Sequence, residues 1–310
     1  MPGRRAGSRG GLRRGTFWAA CCLSCRMNAL KSFYVTLYMV ASMSVAAHAV
    51  QILVATQDYL TWGGVLLVYA PFVLVIAWLM IFRNVPRTSA RMPVLVVMGL
   101  IGVIASLRGY SLGGSGTAPV LSVLGFIGFL VYDFWYSSFR HRHSQALEVG
   151  QALPDFELID TMGNTVTSAS LTDRPSVWIF YRGNWCPLCM AQIREIVADY
   201  RQLEELGVRI VLISPQPHRY TKSLAKKFDV SFDFLTDEGN RAAEQLGIAH
   251  RSGLPAGMQA LGYARDTVLP TVIITTRGGE ILWVHETDNY RVRPEPGTYL
   301  SVLRKHEALA

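Results

Sequence analysis

The chain has 310 residues, a formal net charge of +8 at pH 7 and 50% hydrophobic residues, with a mean hydropathy of +0.24. That hydropathy is high for a water-soluble chain, and the apolar excess is concentrated before about residue 140. Five cysteines, two of them in one motif, do not make a disulfide scaffold, and arginines flanking apolar runs point to an anionic membrane face rather than to nucleic acid.

Residues 1–29 are rich in Arg and Gly and are expected to be a disordered, basic N-terminus. Arg13-Arg14 is followed by too few apolar residues for an export signal. The segment reads instead as a basic flank, or as an extension ahead of a start at Met27. Cys21, Cys22 and Cys25 are assigned no function. Residues 30–140 are expected to form a transmembrane region of about four helices, with apolar stretches at 33–55, 60–82, 93–107 and 118–132. A span needs about 20 mostly apolar residues, so the first two are complete and the last two draw on their flanks. Tyr132, Trp135 and Tyr136 suit an interfacial aromatic belt, with Asp133 at headgroup level. The apolar stretches hold no cysteine, and His48 stands alone for haem ligation or catalysis. The bundle therefore reads as an anchor with the lipid bilayer as its partner. Arg83, Arg87 and Arg91 lie between spans two and three, and Arg140 and Arg142 follow span four. This charge pattern predicts a multi-pass cell-membrane protein whose C-terminal domain faces the cytoplasm.

Residues 141–310 have the composition of an α/β domain. A hairpin is predicted over 156–166 with a Gly-Asn turn, then strands at 177–181, 208–214, 232–235, 271–275 and 281–285. Helices are predicted at 187–206, 222–228, 240–246 and 298–309. Alternating strands and helices imply a central, mostly parallel sheet. A closing hairpin and a final helix match a thioredoxin-like domain.

The organising stretch runs from Phe180 to Cys189. Pro187 suits the first helical position, so Cys186 is expected at a helix mouth and Cys189 one turn inside. Unpaired N–H groups and the helix dipole there favour a thiolate at Cys186. Cys189 is close enough to close a Cys186–Cys189 disulfide, which defines a redox-active dithiol. A structural zinc site needs four ligands, and the three other cysteines lie far upstream, so no metal is expected.

Several motifs follow one another in a familiar order. Val149-Gly150 and Pro154-Asp155-Phe156 come first, then Tyr181-Arg182-Gly183 with Trp185-Cys186-Pro187 and Cys189. Ile213-Ser214-Pro215-Gln216, Leu235-Thr236-Asp237, Leu269-Pro270-Thr271 and Tyr290-Arg291 with Arg293 complete the series. Across this half, the chain resembles the peroxiredoxin-like branch of the alkyl hydroperoxide reductase / thiol-specific antioxidant family, in the thioredoxin superfamily. The resemblance implies an α/β, thioredoxin-like, peroxiredoxin-type domain behind the four-span α-helical bundle. It implies Cys186 as the attacking cysteine, Cys189 as the resolving one, and Pro270 as the superfamily's cis-proline beside the substrate. It also implies a peroxide or disulfide substrate, no cofactor, and an external thiol reductant such as a thioredoxin or glutathione system.

One departure matters. Classical members carry Pro and Thr seven and three residues before the attacking cysteine, where this chain has Ile179 and Gly183. Arg182 is the candidate to replace the lost hydroxyl as a catalytic donor, and Trp185 is expected to cover the dithiol and meet substrate. His285, Tyr290, Arg291 and Arg293 are assigned strand or surface roles individually. Three functions are consistent with these residues: an antioxidant peroxidase, a thioredoxin-type reductase of protein disulfides, and a redox-sensing membrane protein.

Overall fold

The computed structural model describes residues 12–139, 143–228 and 230–307. The first eleven residues of the basic N-terminus, and Arg140 and Arg142, lie outside the described residues. Helix α1 spans Leu12–Thr56, α2 Thr61–Phe82, α3 Pro93–Ser111 and α4 Thr117–Val131, and a π-helical turn follows at Tyr132–Tyr136. Among the described residues, four segments are long and apolar enough to cross a membrane: Cys25–Thr56, Thr61–Phe82, Pro93–Ser111 and Thr117–Tyr136. Helix begins at Leu12, so part of the segment expected to be disordered is helical. The third span continues past the predicted end to Ser111.

Helices α2 and α3 touch through their backbones. A Cβ on Gly64 would lie 2.6 Å from the Gly102 carbonyl oxygen, and one on Gly102 2.6 Å from the Gly64 carbonyl. Small residues at such crossings are how apolar helices gain van der Waals contact in a medium as apolar as themselves.

The C-terminal half builds a seven-stranded sheet from β1 (Glu157–Ile159), β2 (Thr165–Thr167), β3 (Ser176–Phe180), β4 (Arg209–Ser214), β5 (Asp233–Thr236), β8 (Thr271–Thr275) and β9 (Ile281–Glu286). The order is β2-β1-β5-β4-β3-β8-β9, and β6 (Ala249–His250) pairs separately with β7 (Thr267–Val268). Only the β3/β4 and β4/β5 pairs are parallel; the flanking pairs are antiparallel, so the sheet is mixed rather than mostly parallel. The predicted hairpin forms, with Leu158 opposite Val166. The predicted helix 187–206 is broken at Asp199 into α5 (Pro187–Ala198) and α6 (Tyr200–Glu205). Helices α7 (His218–Phe228), α8 (Arg241–Gln245) and α9 (Pro296–Glu307) complete the domain.

Strand periodicity divides the core into two layers. Val177, Ile179, Leu212 and Ile274 face one side and pack with Ile193 and Ile196 of α5 and Leu303 of α9. Trp178, Phe180, Val211 and Ile273 face the other side and pack with Leu147, Phe156, Ala243 and Leu246. Leu79 of α2 belongs to the first layer, so the bundle and the domain share a core.

Polar contacts lock the two parts together. Arg87 pairs with Glu195 of α5, and Arg194 donates to the carbonyls of Phe82 (2.9 Å) and Arg83 (3.2 Å). Thr36 of α1 donates to the Ala256 carbonyl at 2.9 Å. Arg291 reaches up from the domain to Asp133 at 2.5 Å, with side chains 2% and 0% exposed. Asp133 therefore sits in a buried ion pair, not at an open headgroup surface. Removing one partner of such a pair leaves an uncompensated charge. Asp133→Ala is expected to destabilise the full-length protein by about 3–5 kcal/mol in chemical denaturation. The Asp133→Leu/Arg291→Met double variant is expected to be more stable than either single variant.

Candidate active site

Strand β3 ends at Phe180 and the chain turns through Arg182-Gly183-Asn184 into α5. The turn needs Gly183, whose φ is +143° and whose added Cβ would lie 2.7 Å from the Trp185 indole nitrogen. A threonine at this position would be strained and would collide with that indole, which is the structural reason the family hydroxyl is absent here. Gln216 secures the same turn. Its carbonyl oxygen accepts the Asn184 N–H at 2.8 Å, and its amide donates to the Tyr181 hydroxyl at 3.1 Å and the Thr221 hydroxyl at 3.2 Å.

Cys186 is the N-cap of α5 and Pro187 its first residue, as the motif predicts. Both thiols are free and buried, Cys186 at 3% exposure and Cys189 at 0%. The surroundings of the two sulfurs differ. Arg293 brings Nη2 within 3.5 Å of Cys189 Sγ, while its Nη1 donates to Gln192 at 3.0 Å and its Nε to the Tyr290 carbonyl at 3.2 Å. The Cys186 side chain makes no capping hydrogen bond to the helix N–H groups.

The charge consequently rests on the other sulfur from the one expected. Burial raises the Cys189 thiol, but the hydrogen bond from Cys186, the Arg293 cation, the Arg182 backbone and the Arg182 cation outweigh it and bring it down to about 5. Cys186 is pushed well up, first by the hydrogen bond it gives Cys189, then by burial and by the neighbouring negative charge. These influences favour the thiolate on Cys189 over Cys186. The expectation that Cys186 is the more acidic thiol is corrected: guanidinium donors reach Cys189 directly, and the dipole at the helix mouth is not reinforced by a side-chain bond.

Arg182 is 4% exposed. Its Nη2 donates to the Gly253 carbonyl at 2.5 Å, and its guanidinium lies 4.8 Å from the Trp185 ring centre and 5.8 Å from that of Tyr290. Its Nε is buried without a hydrogen-bond partner among the described residues. Arg182, Trp185 and Cys186 share the wall of one cavity of about 370 Å³; Cys189 and Pro270 do not line it. Pro270 is buried ahead of β8, and its peptide bond is trans, as are all those of the described residues. The expected cis bond is therefore absent, in keeping with the trans preference of about 0.5–1 kcal/mol that X–Pro bonds retain.

The residues from Tyr290 to Arg293 were undervalued in sequence. Tyr290 bonds the Tyr132 hydroxyl at 2.5 Å, Arg291 meets Asp133, and Arg293 meets Cys189. Their signal was the two arginines one residue apart, each of which needs a buried anion when it is itself buried. His285 lies half-buried against Trp283, with ring centres 5.9 Å apart, and burial followed by the Arg293 charge lowers its basicity. Tyr132 and Tyr136 of the bundle line the same cavity as Cys186, which no motif announced.

These features define a buried dithiol at a helix mouth on a thioredoxin-type mixed sheet. The AhpC/TSA family model matches residues 149–284, and this segment is similar to the domains of that family. The chloroplastic peroxiredoxin Q of Populus jackii is 30% identical over 112 residues, 36% of this chain and 53% of that protein. The chain thus spans about half the length of that relative. The thiol-disulfide oxidoreductase ResA of Bacillus cereus is 22% identical over 130 residues, 42% of this chain and 72% of that one. The solved structure of peroxidoxin BcpB from Mycobacterium tuberculosis is 23% identical, with a TM-score of 0.43, and covers 51% of this chain and 97% of that chain.

The electrostatics make a pH prediction. The reduced protein is expected to show one thiolate by its ultraviolet absorbance at neutral pH, lost as the pH falls through about 5. Because the Arg293 cation favours the thiolate, Arg293→Met should move that midpoint upward. An unmoved midpoint would reassign the source of the acidity.

Proposed function

We propose that this chain is a membrane-anchored, thiol-dependent peroxidase that works through the Cys186/Cys189 dithiol. The observation that carries the reading is the burial of the dithiol beneath the bundle. Cys186 opens onto a cavity roofed by α1 and α2, where a small oxidant fits and the surface of a folded protein disulfide substrate does not. Similarity to a thiol-disulfide oxidoreductase and the absent threonine support the second reading, reduction of protein disulfides by the same pair.

In the peroxidase cycle, Cys186 passes its proton to the Cys189 thiolate along their hydrogen bond. The Cys186 sulfur then attacks the terminal oxygen of the hydroperoxide, and the O–O bond breaks. The departing oxygen takes a proton to leave as alcohol or water, and Cys186 becomes a sulfenic acid. Cys189, having given its proton to the departing oxygen, attacks that sulfur; the S–O bond breaks, the hydroxide takes a proton from solvent and leaves as water, and the Cys186–Cys189 disulfide forms. Two electrons have moved from the dithiol to the peroxide, and an external thiol small enough to enter the cavity, such as glutathione, restores them by thiol–disulfide exchange. The Arg182 guanidinium, on the cavity wall with Cys186, stabilises the departing oxygen.

The Cys189→Ser protein treated with one equivalent of peroxide is expected to label with a sulfenic-acid probe at Cys186, and the wild type to form the disulfide instead. Arg182→Met should slow peroxide consumption about a hundredfold, which corresponds to about 2.7 kcal/mol of transition-state stabilisation. Insulin reduction without accelerated peroxide consumption would establish the second reading.

The membrane assignment includes a side. The domain docks at the end of the bundle that carries Arg26, Lys31, Arg83, Arg87 and Arg91, whereas Asp58 and Arg108 lie toward the other end. This asymmetry supports a cytoplasmic catalytic domain. A C-terminal alkaline phosphatase fusion should be inactive; activity would place the domain outside.

A further inference from the structure

The cavity at Cys186 is not confined to the thioredoxin-type domain. Met39, Met43, Ile76 and Met80 line both it and a second apolar cavity of about 210 Å³ between α1 and α2. Together they make one groove, running from Cys186 along the seam of the two helices. The wall from Thr36 to Met43 alone spans roughly 10 Å of helix. Val40, Met43 and Met80 stand at 58%, 59% and 45% exposure on the outer face of the bundle. In a membrane that face meets lipid, so the groove opens to the bilayer. Flexible, polarisable methionine side chains line it, and these adapt to an irregular apolar occupant.

The inner end has the opposite character. Arg182 and Arg291, 4% and 2% exposed, both border the cavity, so its inner end is cationic. A wall that carries guanidinium cations favours oxygen acceptors beside it. A purely apolar molecule would leave them unmet, and hydrogen peroxide would leave the groove empty. An amphiphile meets both ends.

We infer that the groove between α1 and α2 binds the acyl chain of a membrane-borne lipid hydroperoxide and presents its oxygens to Cys186, Arg182 and Arg291. The acyl-chain site follows from the groove; the hydroperoxy group rests on the peroxidase reading above. The reaction is the one already written, with the lipid alcohol as the leaving product and the external thiol as the reductant. The bundle is then part of the substrate site and not an anchor alone.

The test uses the full-length protein in lipid nanodiscs, with linoleic acid hydroperoxide and hydrogen peroxide as the two substrates. Met39→Trp and Met43→Trp fill the groove away from the reacting atoms. Each is expected to lower kcat/KM for linoleic acid hydroperoxide about tenfold or more relative to that for hydrogen peroxide. Binding is read separately, with a diazirine-bearing fatty acid on the Cys186→Ser protein. Crosslinks should fall on the groove-facing turns of α1 and α2 and be competed by linoleic acid. Wild-type protein that consumes hydrogen peroxide but spares the lipid hydroperoxide would overturn the inference. So would filling variants that slow neither substrate, or both equally. If neither peroxide is consumed, the peroxidase reading fails by itself. The crosslinks then decide the chain site, which stands if they map to the groove and falls if they do not.

Discussion

The contact between Arg291 and Asp133 ties the catalytic domain to the bundle, and the state of the dithiol depends on it. Both side chains are buried, so neither charge is tolerable without the other. The same loop, two residues further on, delivers Arg293 to Cys189 at 3.5 Å. The Thr88 N–H binds the Arg291 carbonyl at 3.1 Å, and the Asn289 amide binds the Ala90 carbonyl at 2.9 Å, which fixes the loop against the α2–α3 connection. An acid at the end of α4 thereby positions the cation that stabilises a thiolate in the other half of the chain. The bundle acts on the chemistry by holding that loop, even before it touches any substrate.

Charge placement then divides the labour between the sulfurs. Cys189 is the better-supported anion, and Cys186 is the sulfur that faces the cavity. A nucleophile held as a thiol beside a thiolate is a thiol–base pair of the kind that activates weak nucleophiles elsewhere. In the proposed peroxidase cycle, proton transfer across one hydrogen bond produces the reactive form at the cavity wall. Burial beneath α1 and α2 excludes water from that wall and strengthens each guanidinium interaction in it.

Much of this was legible in the sequence, and the limits have physical causes. The Pro187-led helix, the position of Cys186 at its mouth and the β1/β2 hairpin follow from local rules of capping and alternation. The spans follow from apolar length. What local rules miss is long-range pairing: β8 returns antiparallel to β3 across nearly a hundred residues, so the sheet is mixed. Asp133 read as an interfacial acid because its partner, Arg291, is remote in sequence. The acidity of the pair was assigned to Cys186 because the helix mouth is visible in sequence, whereas the approach of Arg293 to Cys189 is a tertiary fact. Helix α5 ends at Asp199 although apolar periodicity continues to Tyr200 and beyond, because the Asp199 backbone leaves the α-helical region at φ −92°, ψ 6°.

Gly183 and the roof of the cavity belong to one solution. A positive φ at Gly183 lets Trp185 fold its indole against the turn, and the Arg182 guanidinium stacks on that ring. A side-chain hydroxyl in the turn would remove this arrangement, so the donor that meets the substrate has to come from the guanidinium. A stacked, buried guanidinium functions only where water is kept away and where its remaining N–H groups have a partner to await. The bundle provides the first condition by covering Arg182, Trp185 and Cys186 with α1 and α2. The amphiphile inferred for the groove provides the second. In the proposed peroxidase the departure from the classical motif and the helical bundle meet at one place: Arg182, on the turn that lacks a hydroxyl, lines the cavity that α1 and α2 roof.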